Sequence, residues 1–237
     1  MGRQTFDQEL RRIQDEVLVL GSMVEEALVK SVETLKQKNF AGSAAIIAGD
    51  RAINERRFAI EADTLTLIAT QQPMAGDMRL LAAILEIITE LERIGDYAKG
   101  IARINIMIGT EPLIKPLVDL PVMADCAQTM LRRALDAFIQ RDVEQARIIP
   151  KSDDEVDKLY NKVYRELLSY VVADPTTIQQ TNYLLWAAHN LERSADRVIN
   201  LCERIVFMVT GELEELDSDE AGIEGIAYPG HRVREGP

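Results

Sequence analysis

Leu91-Glu92-Arg93-Ile94-Gly95-Asp96 and Leu191-Glu192-Arg193-Ser194-Ala195-Asp196 are one short phrase written twice, one hundred residues apart. Around the first copy, apolar residues fall at Leu80, Ile84, Ile87, Leu91, Ile94, Ala98, Ile101 and Ile108. Around the second they fall at Leu184, Ala188, Leu191, Ala195, Val198, Cys202, Ile205 and Val209. Steps alternating near three and four place each set on one face of a helix. The flanking sequence repeats as well. Asp50-Arg51-Ala52-Ile53-Asn54 matches Asp153-Asp154-Glu155-Val156-Asp157 at an offset of 103, and Pro73 matches Pro175 at 102. Ordered matches at a nearly constant offset are the mark of an internal duplication.

Working outward, each copy reads as three helices. In the first copy, helices are predicted over about 6–38, 41–71 and 76–108. Pro73 stops the second and Gly109 caps the third. In the second copy they are predicted over about 122–140, 143–172 (with a break at Pro150) and 177–210, with Asp174-Pro175 and Gly211 as the matching stops. The first helix carries its apolar stripe at Phe6, Leu10, Ile13, Val17, Leu20, Val24, Leu28 and Leu35. Ile46, Ile53, Ile60 and Leu67 recur every seven residues in the second. Helices of about 30 residues run about 45 Å, and short turns lay them antiparallel around a shared core. The predicted fold is therefore all-α, two tandem three-helix bundles. One repeat spans 1–111, a proline-bearing linker 112–121, the second repeat 122–211, and an acidic, disordered tail 212–237.

Composition agrees with a helical globular chain and narrows its chemistry. Hydrophobic residues make up 47% and aromatics only 5%, so the core is aliphatic. The net charge is −12, and half of it lies after residue 211, where eight acids meet two bases. A chain of this balance lacks the clustered Lys and Arg that phosphate backbones require, which excludes nucleic acid as the main partner. No apolar run reaches the length of a membrane span, and the polar start has no leader pattern, so no membrane insertion and a cytoplasmic location are expected. Cys126 and Cys202 have no metal-ligand or redox spacing and read as reduced core residues.

The duplicated phrase carries the candidate chemistry. Glu92 and Asp96, Glu192 and Asp196, and Asp153 and Asp157 are spaced i, i+4, which stacks like charges on one helical face. Glu92 and Asp96 lie off the apolar stripe and Glu192 and Asp196 flank it, so they are expected at the surface, without the raised pKa of buried acid–base catalysts. Arg93, Lys99, Arg193 and Arg197 are near enough in sequence to offset them, and a plain solvated face is one reading. A metal surface is the other, because carboxylate oxygens suit hard and borderline divalent cations. The candidate ligands are Asp50, Glu92, Asp96, Asp153, Asp157, Glu192, Asp196 and Asn200. His189 shares the side of Glu192 and Asp196. Neither histidine has a Glu three residues before it, which excludes the di-iron bundle pattern, and neither a nucleophile triad nor a phosphate-binding glycine loop is present. The chain is expected not to be an enzyme.

These motifs resemble the PhoU family of accessory regulators of phosphate transport. The resemblance covers roughly 6–211. It rests on Phe6-Asp7-Gln8-Glu9-Leu10, on Gln72-Pro73 followed by Asp77-Met78-Arg79-Leu80, and on Leu91 to Ala102 with its second copy Leu191 to Asn200. It implies a homodimer that represses phosphate-starvation genes by linking the ATPase subunit of a high-affinity phosphate ABC transporter to a membrane sensor histidine kinase. It also implies iron, zinc or another divalent metal on the acidic motifs. Two positions depart from the family pattern: Asn54 stands in place of an acid, and Gly100 in place of the asparagine that Asn200 keeps. The second repeat is therefore expected to bind metal better. Two other readings stay open, a phosphotransfer module using His189 and an accessory subunit of a different phosphate transporter.

Overall fold

A computed structural model describes residues 3–216, and all regular structure among them is helical. The helices are α1 (Arg3–Gln37), α2 (Phe40–Gln71), α3 (Ala75–Ile108), α4 (Asp119–Gln140), the short α5 (Val143–Ile148), α6 (Asp153–Ala173) and α7 (Ile178–Thr210). Three-residue-per-turn helices at Ile149–Ser152 and Pro175–Thr177 lead into α6 and α7. The predicted fifth helix is thus cut in two. Pro150 cannot donate to the preceding turn, so the chain tightens there and restarts at Asp153. At the linker the departure is opposite. Pro121 falls in the first turn of α4, where a missing N–H costs nothing.

The turns are capped by the residues the sequence offers. Asn39 accepts from the Gly42 N–H at 2.9 Å to start α2, and Asp174 accepts from the Thr176 N–H at 3.0 Å. Gly211 ends α7 at φ +83°, a left-handed geometry that a side chain would strain. The acidic tail falls almost wholly outside the described residues. The part within them, up to Leu216, is held to the bundle: Glu214 pairs with Arg147 at 2.7 Å, and the Leu216 N–H donates to Glu203 at 3.1 Å.

Every apolar residue of the α1 and α3 stripes is buried. The two repeats do not close separate cores. α3 packs on α1 and α2 and most extensively on α7, and α1 also packs on α4. One continuous apolar cluster results, running from Phe6 to Met208. This is why α3 and α7 bury a second face, Leu81, Ile88 and Ala102 on one and Ala187, Leu201 and Val206 on the other. The α1–α4 crossing is tight at Gly21, where a Cβ would meet Leu135 Cδ1 at 2.4 Å.

Two acidic faces as the candidate functional site

Helices α2 and α3 bring the first set of acids together. Asp50 is 7% exposed. Its Oδ2 accepts from Lys99 Nζ at 2.6 Å and from Asn54 Nδ2 at 3.2 Å, while its Oδ1 has no hydrogen-bond partner. Lys99 sits one turn beyond Asp96 on α3 and reaches its Oδ1 at 3.3 Å. The Asp50 hydrogen bond is the main reason the Lys99 ammonium holds its proton above the usual lysine range. Glu92 shares this face. Burial first, then the charges of Asp96 and Asp50, push its carboxyl above the usual range, and Arg57 opposes them.

Helices α6 and α7 build the second face. Asp153, the first residue of α6, is buried, and Asp157 lies one turn on. Glu192 and Asp196 project from α7. Burial, Asp196 and Asp157 raise the Glu192 carboxyl, with His189 and Arg193 acting against them. His189 Nδ1 lies 3.1 Å from Glu192 Oε2, its side chain is 53% exposed, and its ring lies tilted against Tyr160 with centroids 6.2 Å apart. Arg193 approaches Asp196 at 3.6 Å. Among the described residues, no three His, Cys, Asp or Glu side chains converge tightly enough to enclose a metal ion as they stand.

The surface expectation holds for Asp96, which is exposed, and is corrected for Glu92 and Glu192, which are half-buried with their carboxyls raised chiefly by that burial. Asp50 and Asp153 are buried. The four basic residues also divide. Lys99 and Arg193 serve the acidic faces, whereas Arg93 and Arg197 turn to Glu90 at 2.9 and 3.3 Å. Asn200 joins them, its Nδ2 donating to Glu90 Oε2 at 3.1 Å across the seam between repeats. Glu90, 6% exposed, is the residue that sequence reading missed. It lies beside the phrase rather than in it, and its counterpart in the second copy is Asn190, so the repeat comparison gave no signal. Asn190 Nδ2 in turn stands 2.8 Å from where a Cβ at Gly100 would be, so a side chain there would displace the Asn190 amide. Cys202 is buried and its thiol is pushed up to about 12 by that burial; Cys126 is half-buried against the core. Both are free.

The raised Glu192 makes a prediction for the metal-free protein. The folded state holds this proton more tightly than the unfolded one. Its stabilising contribution is therefore complete below the ordinary glutamate pKa and is lost as pH rises through the folded value. Glu192→Gln is expected to match or exceed the wild type by a few tenths of a kcal/mol at neutral pH. The difference should vanish in acid. Thermal melts in chelator across pH check this, and a variant less stable at neutral pH would contradict it.

The family model described as the PhoU domain matches residues 17–104 and again 120–205. A phosphate-specific transport system accessory protein PhoU homolog of Caulobacter vibrioides is 35% identical, covering 94% of this chain and 97% of its own. One from Aquifex aeolicus is 34% identical, covering 86% and 93%. The crystal structure of PhoU from Pseudomonas aeruginosa superposes with a TM-score of 0.82 at 30% identity, covering 87% of this chain and all of that one. That of the phosphate transport system regulatory protein PhoU from Streptococcus pneumoniae gives 0.81 at 32%.

Proposed function

The chain belongs to the PhoU family, and from that premise we propose that it regulates phosphate uptake as a non-enzymatic adaptor. In this reading it is a cytoplasmic homodimer that couples the ATPase subunit of a high-affinity phosphate ABC transporter to a membrane sensor histidine kinase. It represses phosphate-starvation genes when phosphate is plentiful. The observation that carries the reading is the doubled acidic phrase on a two-repeat bundle, matched along nearly its whole length by relatives named as phosphate transport accessory proteins. No helix among the described residues is long and apolar enough to cross a membrane. In this reading the chain meets the transporter and the kinase through its helical faces.

Divalent iron, zinc or manganese on the second acidic face belongs to the same proposal. Asp153, Asp157, Glu192 and Asp196 supply oxygen donors of the right chemistry, and the raised Glu192 carboxyl marks a place where added positive charge is favourable. A metal there would tie α6 to α7 and fix the face they share.

Deleting the gene is expected to derepress phosphate-starvation genes in phosphate-rich medium, and restoring the chain should silence them again. Unchanged expression would sink the regulatory reading. Capture of the transporter ATPase on the immobilised chain, with and without phosphate, tests the physical partner. Retention of the ATPase under neither condition would remove it.

A further inference from the structure

We propose that the outer face of α2 is the surface through which two copies of this chain pair, antiparallel and about a two-fold axis level with Ile53. The inference rests on the homodimer of the proposed function and names the face that makes it.

Helix α2 carries two seams. The inner one, with Asp50, Ile53, Ile60 and Leu67, is buried in the bundle. The outer one runs through Ala41, Ala45, Ala48, Ala52, Glu55, Ala59 and Ala62, and each of these is exposed. Its steps alternate four and three, the spacing of a coiled-coil seam. Along one flank Arg51, Phe58 and Leu65 recur every seven residues, and the two apolar ones are 58% and 50% exposed. On the other flank the face opens into an apolar groove against α1, lined by Met23, Ala27, Ile46 and Ile53. Continuous exposed apolar surface of this kind marks a contact with another molecule.

The duplication supplies a control within the same chain. At an offset of 103 the outer seam maps onto Glu144, Ile148, Lys151, Glu155, Lys158, Lys162 and Arg165. Six of these seven are charged, so the second repeat shows water an ordinary helical face. The three-helix plan therefore does not itself require the alanines of the first.

A second copy fits this face because the face complements itself. In an antiparallel pair about a two-fold axis, each flank meets the same flank of the other helix. With the axis level with Ile53, Arg51 stands opposite the partner's Glu55, Phe58 opposite the partner's Ala48, and Leu65 opposite the partner's Ala41. One register thus sets large side chains over small ones, as knobs meet holes, and gives the single charge of the seam a counter-charge from the partner. Within one copy Arg51 and Glu55 pair with each other at 2.7 Å, with side chains 85% and 63% exposed. Doubling that pair about the axis makes a ring of alternating charges. The contact is isologous, so it closes at two copies.

The test follows the full chain by sedimentation velocity over a concentration series, in chelator so that metal plays no part. The wild type is expected to dimerise. Arg51→Glu and Glu55→Arg should each raise the dimer dissociation constant at least ~tenfold, because like charges then face each other across the axis. Ala48→Glu should weaken pairing as well. Mixed in equal amounts, the two charge variants should pair again, and Arg51→Glu/Glu55→Arg should pair as the wild type does. All three positions are exposed, so the circular dichroism of every variant should stay that of the wild type. A dimer that none of the single variants weakens would overturn the inference while the homodimer reading stands, since another face then carries it. Charge variants that stay apart on mixing would overturn it too. A wild type that remains monomeric throughout would overturn both and leave this face to a different partner.

Discussion

Replacing Glu90 by alanine is expected to cost roughly 3–5 kcal/mol of folding stability, the range for removing one partner of a buried ion pair. Glu90 is the polar centre of the α3–α7 seam. It takes Arg93 at 2.9 Å, Arg197 at 3.3 Å and Asn200 at 3.1 Å, and is itself 6% exposed. Without it, the largely buried Arg197 guanidinium, whose Nε already lacks a partner, keeps its charge and loses its counter-ion. The cost lies in that stranded charge rather than in the lost hydrogen bonds, so Glu90→Leu combined with Arg197→Leu should recover much of it. Urea melts of the single and double variants measure both effects. A single variant within about 1 kcal/mol of the wild type would show that the seam is held by its apolar contacts alone.

Asn105→Asp is the second large effect, with an expected loss of at least ~3 kcal/mol at neutral pH. Asn105 is fully buried near the α1–α2 turn. Its Nδ2 donates to the Thr34 carbonyl at 3.0 Å and to Ser43 Oγ at 2.9 Å. An aspartate would present a second acceptor to those acceptors and bury an unpaired charge. Folding would therefore raise its pKa, so the deficit should be small in acid and grow as pH rises above the ordinary carboxylate range. Asn105→Leu should be milder, about 1–2 kcal/mol. The Thr34 carbonyl keeps the Asn39 N–H at 2.8 Å, and the Ser43 hydroxyl still donates to Thr34 Oγ1 at 3.0 Å. A leucine variant as unstable as the aspartate variant would mean that packing volume, not polarity, governs the site.

Much of the fold was legible because helices announce themselves locally. The α3 stripe from Leu80 to Ile108 is buried at every position read from its spacing, and Gly211 caps α7 as its place past the last apolar residue predicted. The break at Pro150 was legible too, because a proline cannot donate to the preceding turn. The start of the fourth helix was misjudged: Pro121, read as the end of the linker, lies in the first turn of α4. The site was legible in part. Spacing put Glu92 with Asp96 and Glu192 with Asp196, but it could not say which base answers which acid. Arg93 stands inside the phrase and Lys99 three residues past it, yet Arg93 serves the seam and Lys99 the acidic face.

The sequence by itself determined the duplication, the helices and the paired carboxylates, because each is a short-range pattern of spacing along one chain. Only the tertiary structure decided that the two repeats share one core through α3 and α7, that Glu90 is buried between them, and that Lys99 rather than its neighbours sits on Asp50. Those outcomes depend on which helical faces meet. The meeting brings together residues 49 positions apart in one case and 107 in another, and no local period encodes such a distance.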